Sequence, residues 1–189
     1  MNNYFEKAKL YSADCYVADY TLQTENKRGV ELSESPFGDI ASCHLANPSH
    51  IAYWGINFEE HNAFFKDSVT RETLSQCECM FESHHAKKKA WACLIEMKYC
   101  LEKNIEDNAP KAYSQLLDTL DYLKKKEVLS DQTHRFYLNF SVPDHSNKEP
   151  FTSFFFTPDE LLKYKREQGI IILGCNNVLV LNEAFVKVP

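Results

Sequence analysis

Apolar positions recur with a helical period in three segments of the chain. Between residues 109 and 129 they repeat at three- and four-residue steps, which predicts a long amphipathic helix with Pro110 in its first turn. In TPDELLKYKREQG, Thr157 is placed as an N-cap and Gly169 as a helix end. The phenylalanines of FEEHNAFFKDSV predict a third helix, which Asn57 would cap.

Other segments show the two-residue period or the short apolar runs of strands. SQCECMFES and AWACLIEMKYC predict a β-hairpin joined by the polar tract HHAKKK, and RFYLNFSV predicts a further strand. IIILG and VLVLN are separated by Cys175, Asn176 and Asn177, and the asparagines tolerate a turn conformation. We therefore expect a second hairpin at the C-terminal end of the sequence.

The order of these elements predicts an α/β fold of the mixed α+β kind, in which a central mixed β-sheet is flanked by helices. Residues 1–56 are interrupted by Gly, Pro and Ser, and they predict only one or two loosely placed strands. A length of 189 residues favours a single domain, 1–189. Within it we expect a core over 57–142, followed by a helix and hairpin over 143–189.

Composition places the chain among ordinary globular proteins. Hydrophobic residues make up 44% and charged residues 25%, and aromatic residues at 13% argue against disorder. No apolar run approaches the roughly 18 residues of a membrane span, and the first residues lack the pattern of a secretion signal. Seven scattered cysteines suit reduced thiols. We expect a cytoplasmic protein with no membrane partner.

The net charge of −6 disfavours a protein that coats nucleic acid by bulk electrostatics. Any contact with phosphates must then come from local basic patches or from a bound cation. The tract HHAKKK, residues 84–89, could form one such patch at the hairpin tip, although a charged solvated turn is the favoured interpretation. Lys124, Lys125 and Lys126 suit the C-terminal end of the long helix and need no ligand.

Two charged residues interrupt the apolar strand AWACLIEMKYC. Strand alternation puts Glu96 and Lys98 on one face, and Glu78 in the preceding strand can face Glu96 across the hairpin. Buried carboxylates need a partner, because an uncompensated buried ion is unfavourable by several kcal/mol or more. Mg²⁺ or Mn²⁺ prefers such oxygen ligands, so Glu78 and Glu96 are the predicted metal ligands and Lys98 a catalytic neighbour.

Glu78, the Glu96-x-Lys98 strand and a following helix that bears Gln115 together resemble the PD-(D/E)XK nuclease superfamily over roughly residues 57–140. The resemblance implies a restriction-endonuclease-like αβββαβ core, one or two divalent metals and hydrolysis of phosphodiester bonds, with DNA favoured over RNA as the partner. Glu78 takes the first acidic position, where Asp is commoner, and no Pro precedes it.

The same resemblance matches Gln115 to a catalytic helix residue of some branches. Glu59 or Glu60 corresponds to an acidic residue of the upstream helix. Many relatives of this fold cut as dimers, so a homodimer is a further expectation. Roles of the superfamily include restriction, repair and defence against phage.

Alternatives remain for each of these residues. Glu96 and Lys98 can form a solvated ion pair on an edge strand, and Gln115 can be solvated. Cys77, Cys79, Cys93 and Cys100 lack the spacing of a zinc or iron–sulfur site and suit buried core thiols.

A Cys–His nucleophile with His61 or His134 has no local signature. For the whole chain, the alternative to a metal-dependent nuclease is a catalytically inactive nuclease-like module that binds or regulates in a defence or toxin system.

Overall fold

The computed structural model describes residues 6–23, 29–61, 64–66, 70, 72–84 and 88–188. The fold is mixed α/β, with two mixed β-sheets and a few helices. The first sheet has the strand order β1-β5-β6-β7-β8-β9, with β1 Lys9–Tyr11, β5 Tyr53–Asn57, β6 Cys79–Ser83, β7 Ala90–Met97, β8 His134–Ser141 and β9 Ile170–Leu173. The second has the order β11-β10-β4-β2-β3, with β2 Cys15–Asp19, β3 Val30–Ser33, β4 Cys43–Ala46, β10 Asn177–Asn182 and β11 Phe185–Lys187. The α-helices are α1 Tyr20–Gln23, α2 Ile105–Lys125 and α3 Pro158–Lys163.

Both faces of the first sheet are covered. Ala92 and Leu94 of β7 pack into an apolar cluster with α2, whereas Cys93 and Ile95 pack into a second cluster with strands of the other sheet. A strand that is buried on both faces favours apolar residues at every position, which explains why AWACLI, the part of β7 before Glu96, is continuously apolar. None of the described helices has the length and apolar character that a membrane span requires.

The predicted hairpin and the long helix are confirmed. β6 and β7 are antiparallel, with Cys79 opposite Ile95, and α2 then connects β7 to the parallel strand β8. The helix begins at Ile105, four residues before the predicted start, so Pro110 lies inside it and not in its first turn. The predicted capping box of α3 is also present, between Thr157 and Glu160.

The predicted helix over FEEHNAFFKDSV is wrong in its described part. Asn57 does cap a turn by accepting from the Glu59 N–H, at 3.0 Å, but only a 3-10 helix over Phe58–His61 follows. Residues 62, 63 and 67–69 lie outside the described part. The aromatic rings of Phe64 and Phe65 pack edge-on against each other, as an apolar loop beside α2 requires.

The predicted C-terminal hairpin is also wrong. β9 lies parallel to β8 in the first sheet, whereas β10 lies parallel to β4 in the second. The chain passes between the sheets at Gly174, where a Cβ would collide with the backbone nitrogen of Thr152. Long-range contacts of this connection, and not a local turn, decide the paths of the two strands.

Residues 6–56 are far more regular than the sequence suggested. The described part of this region contributes β1 and most of β5 to the first sheet and β2, β3 and β4 to the second. Asp19 is the last residue of β2 and lies close to Glu96 near the end of β7.

Candidate functional site

Glu78, Glu96 and Lys98 lie together at the end of the β6–β7 hairpin, as predicted. Glu96 is the second-last residue of β7, and Lys98 follows the strand. The Glu78 N–H donates to the Ile95 carbonyl at 3.2 Å, so the pairing of the hairpin includes Glu78, the residue that precedes β6. This register places Glu78 directly across from Glu96.

These residues line a cleft of about 210 Å³, here called the carboxylate cleft. The charged and amide residues that line it are Asp19, Glu59, Gln76, Glu78, Glu96, Lys98 and Gln115. Lys98 is the only lysine or arginine among the described residues that line it. Within the described lining, four carboxyl groups therefore face one ammonium group, which favours binding of protons or a cation.

Glu96 is the most deeply buried carboxyl group of the cleft, with 1% of its surface exposed. Its Oε1 accepts from Lys98 Nζ, and its Oε2 is buried with no hydrogen-bond partner within the described residues. Burial raises the pKa of Glu96 to about 7, although the neighbouring Lys98 ammonium opposes the shift. A buried oxygen without a partner is a place where a ligand or a proton would be stabilised.

Glu78 is held by the neighbouring strand. Its Oε2 accepts from the backbone N–H of Met97, which fixes the carboxyl group beside Glu96. Burial and the nearby charge of Glu96 raise the pKa of Glu78 well above its usual range. Burial alone would lower the pKa of Lys98, but attraction to Glu96 and Glu78 outweighs it and the pKa of Lys98 is raised.

Gln115 lies on α2 and lines the cleft. It is therefore not a fully solvated helix residue. Its Nε2 donates to the Gln76 carbonyl at 3.1 Å. Its Oε1 is buried and has no hydrogen-bond partner in the part of the chain described here. Glu96 and Gln115 thus each present one unused acceptor oxygen at the same cleft.

Asp19 was missed by the sequence reasoning because it comes from the loosely predicted N-terminal region. It is 3% exposed, and its Oδ1 accepts from the Thr21 N–H at 2.8 Å. The Asp19 N–H donates to the hydroxyl of Tyr99, which lies just beyond Lys98 in the chain. This contact ties the second sheet to the end of β7.

Of the two upstream acids, Glu59 lines the cleft and Glu60 does not. Glu59 Oε2 accepts from the Val30 N–H at 2.8 Å, and Glu60 instead lies 3.7 Å from Lys7. Gly29 has a φ of 80°, and a Cβ there would collide with the Glu59 carboxylate. Glu59 therefore also holds the start of β3 in place.

The cysteines are free thiols, and all but the half-buried Cys100 are buried. Burial raises the pKa of Cys15 and of Cys43 to about 12, which makes them poor nucleophiles. His134 contacts Glu82, with 2.8 Å between Nε2 and Oε1. The burial of the cysteines and their raised pKa values match the interpretation that they are core thiols.

No group of three or more His, Cys, Asp or Glu side chains that could hold a metal ion is found within the described ranges. Of the tract HHAKKK, residues 85–87 lie outside those ranges. His84 packs edge-on against Trp54, with ring centroids 5.1 Å apart. No family model, curated protein or solved structure matches the chain.

Proposed function

We propose that this chain is a divalent-metal-dependent phosphodiester hydrolase of the PD-(D/E)XK type, a nuclease with DNA favoured over RNA. The observation that carries the proposal is the carboxylate cleft. There Glu78 and Glu96 lie on neighbouring strands, Lys98 contacts Glu96, and one oxygen of Glu96 is buried without a partner in the described residues.

The donor set of the cleft fits Mg²⁺ or Mn²⁺. Mg²⁺ commonly keeps several waters and uses one or two carboxylates, so Glu78 and Glu96 suffice as protein ligands. When bound, such a cation would polarise a phosphoryl oxygen and lower the pKa of a water molecule. The excess of carboxyl groups over Lys98 favours the same interpretation.

Lys98 is suited to act as a cation and not as a base. Its raised pKa keeps the ammonium protonated at neutral pH, and Glu96 holds it in the cleft. A fixed ammonium can orient the attacking water and offset the negative charge that develops on the phosphate. The Oε1 of Gln115, which has no partner among the residues that the structure describes, is an acceptor that can orient the same water.

The order of elements supports the proposal as well. The segment β5–β6–β7–α2–β8 is an antiparallel meander followed by a helix and a parallel strand, which is the order expected for the βββαβ part of the family core. The 3-10 turn over Phe58–His61 lies between β5 and β6, inside this meander and not upstream of it, and it carries Glu59 into the cleft.

Cleavage of DNA and RNA in Mg²⁺ or Mn²⁺ by the wild type and by Lys98→Ala tests the proposal. Removing one charge-stabilising group typically lowers the rate by about 10²–10³. Lys103→Ala removes an exposed lysine that does not line the cleft, so it controls for the loss of charge. Equal cleavage by the wild type and Lys98→Ala would exclude the assigned role.

The second candidate is an inactive nuclease-like module that binds or regulates, for example in a defence or toxin system. The contact between Lys98 and Glu96 favours it, because the ammonium already neutralises one carboxylate. Calorimetric titration with Mn²⁺ separates the two candidates: absence of binding at millimolar Mn²⁺ supports the inactive module.

Sedimentation of the same sample tests the expected homodimer.

A further inference from the structure

A second concave surface lies at the opposite end of the first sheet. It is a groove of about 700 Å³ at the start of β8 and β9, here called the basic groove. The charged side chains that line it, apart from His134, are Lys89, Lys124, Arg135, Lys165, Asp131 and Glu167. Among the described residues of the groove, four permanent cations thus face two carboxylates, in a chain whose net charge is −6.

Several of the cations are held in position. Lys124 Nζ contacts Asp131 Oδ1 at 2.7 Å and lies 4.3 Å from the centre of the Phe136 ring. Lys89 Nζ donates to the Asp131 carbonyl, so Asp131 orients both lysines. Cations whose side chains are already ordered lose less conformational entropy when they bind an anion.

Arg135 is fixed by a different set of contacts. Its guanidinium group lies 4.3 Å from the centre of the Phe185 ring and donates to the Lys89 and Ala184 carbonyls, each at 3.4 Å. Lys165 is exposed at the rim. A guanidinium with lysine ammonium groups around it suits the binding of phosphate oxygens.

The basic groove is distinct from the carboxylate cleft. β7 runs from Ala90 near the groove to Glu96 in the cleft, roughly 20 Å at the rise of an extended strand. Both surfaces contact α2, through Lys124 and Gln115. Without a bound cation the cleft carries excess negative charge and would repel a phosphate chain, whereas the groove would attract it with its own side chains.

We infer that the basic groove is an anchoring site for the phosphodiester backbone of nucleic acid, with Lys89, Lys124, Arg135 and Lys165 as phosphate contacts. This inference rests on the proposed nucleic-acid substrate and gives the acidic chain the local basic patch that such a substrate needs. The groove holds the strand while the separate cleft performs hydrolysis.

Binding of a fluorescent oligonucleotide in EDTA tests the groove without cleavage. At about 0.1 M salt each lost phosphate contact weakens binding by roughly eightfold and lowers the salt slope by about one. The Lys89→Gln/Lys165→Gln pair should therefore bind much more weakly than the wild type. The Lys125→Gln/Lys163→Gln pair removes the same charge from exposed positions that do not line the groove, and should bind almost as the wild type does.

Thermal melting of both pairs verifies that the variants are folded. No oligonucleotide binding by the wild type, or an equal loss in both pairs, would overturn the inference. Failure of the nuclease proposal would look different, because cleavage would be absent in Mg²⁺ while groove-dependent binding in EDTA persisted. Failure of the groove alone would leave cleavage intact and binding unchanged in the Lys89→Gln/Lys165→Gln pair.

Discussion

Two sets of buried polar side chains lie near the same end of β7 and β8, and they differ in how fully their hydrogen-bonding atoms are used. Asn139 and Asn176 are buried; Asn139 bonds to Cys175 in the connection between the sheets, and Asn176, which lies in that connection, bonds to Val142. Glu96 and Gln115 each leave one buried oxygen without a partner among the described residues. The first set is built to hold the chain, and the second is built to receive a proton or a ligand.

Both asparagines use the oxygen and the nitrogen of the side-chain amide in hydrogen bonds. Asn176 Oδ1 accepts from the Ser141 hydroxyl at 2.7 Å and from the Val142 N–H at 3.0 Å, and its Nδ2 donates to the Val142 carbonyl at 3.0 Å. Asn139 accepts from the Cys175 N–H and donates to the Cys175 carbonyl. These bonds replace the ladder that a β9–β10 hairpin would have formed.

Asn176→Ala should give the largest loss of stability, because it leaves several buried groups unpaired at once. Each unpaired buried group costs about 1–3 kcal/mol, so we expect a loss of about 3–5 kcal/mol in the free energy of unfolding. Urea denaturation measures it. Asn177→Ala at the exposed neighbouring position should cost less than about 1 kcal/mol, and similar losses would contradict the structural role of Asn176.

The buried carboxyl group of Glu96 predicts an unusual pH dependence of the free energy of unfolding. Its pKa in the folded chain is about 7, above the ordinary 4.5, so between these values the folded state binds more protons than the unfolded state. Stability contributed by the protonated form is therefore lost as the pH rises through about 4.5–7. One pKa unit corresponds to about 1.4 kcal/mol, which gives a loss of about 3 kcal/mol.

Urea denaturation in EDTA at pH 5 and pH 8 checks this dependence. The wild type should be less stable at pH 8 than at pH 5, and Glu96→Gln should lose most of that difference because its amide does not ionise. Glu78 has a raised pKa too, so a residual slope of the same sign is expected in the variant. A wild type that gains stability from pH 5 to pH 8 would contradict the geometry of the cleft.

Divalent metal should reverse this loss if the cleft is a metal site. At a concentration 100 times the dissociation constant, a ligand that binds only the folded state stabilises it by about 2.7 kcal/mol. Mn²⁺ at pH 8 should therefore raise the melting temperature of the wild type and leave that of Glu96→Gln unchanged. An equal rise in both proteins would place the cation elsewhere.

The sequence predicted the centre of the cleft because that part depends on local pattern. Alternation along β7 and pairing within one hairpin were enough to place Glu78, Glu96 and Lys98 on the same face. The helix that carries Gln115 also followed from its apolar period. All of these features are set by residues close in the chain.

The remainder of the cleft and the path of the C-terminal strands depend on distant contacts. Asp19 enters the cleft only because β2 lies in the second sheet and its N–H contacts Tyr99, 80 positions away in the chain. Asn176 resembled a turn residue, but its partners Ser141 and Val142 precede it by about 35 positions. No local period carries that information.

Gln115→Met should have the smallest effect on stability and so sharpens the contrast with Asn176. The substitution removes the 3.1 Å bond to the Gln76 carbonyl, but it also removes a buried oxygen that has no partner among the described residues. The lost bond costs about 1 kcal/mol, and relief of the unpaired oxygen offsets part of it. We expect a change below about 1 kcal/mol in urea denaturation. A loss as large as that of Asn176→Ala would mean that Gln115 is a structural residue, and the unpaired oxygen would then say nothing about a ligand.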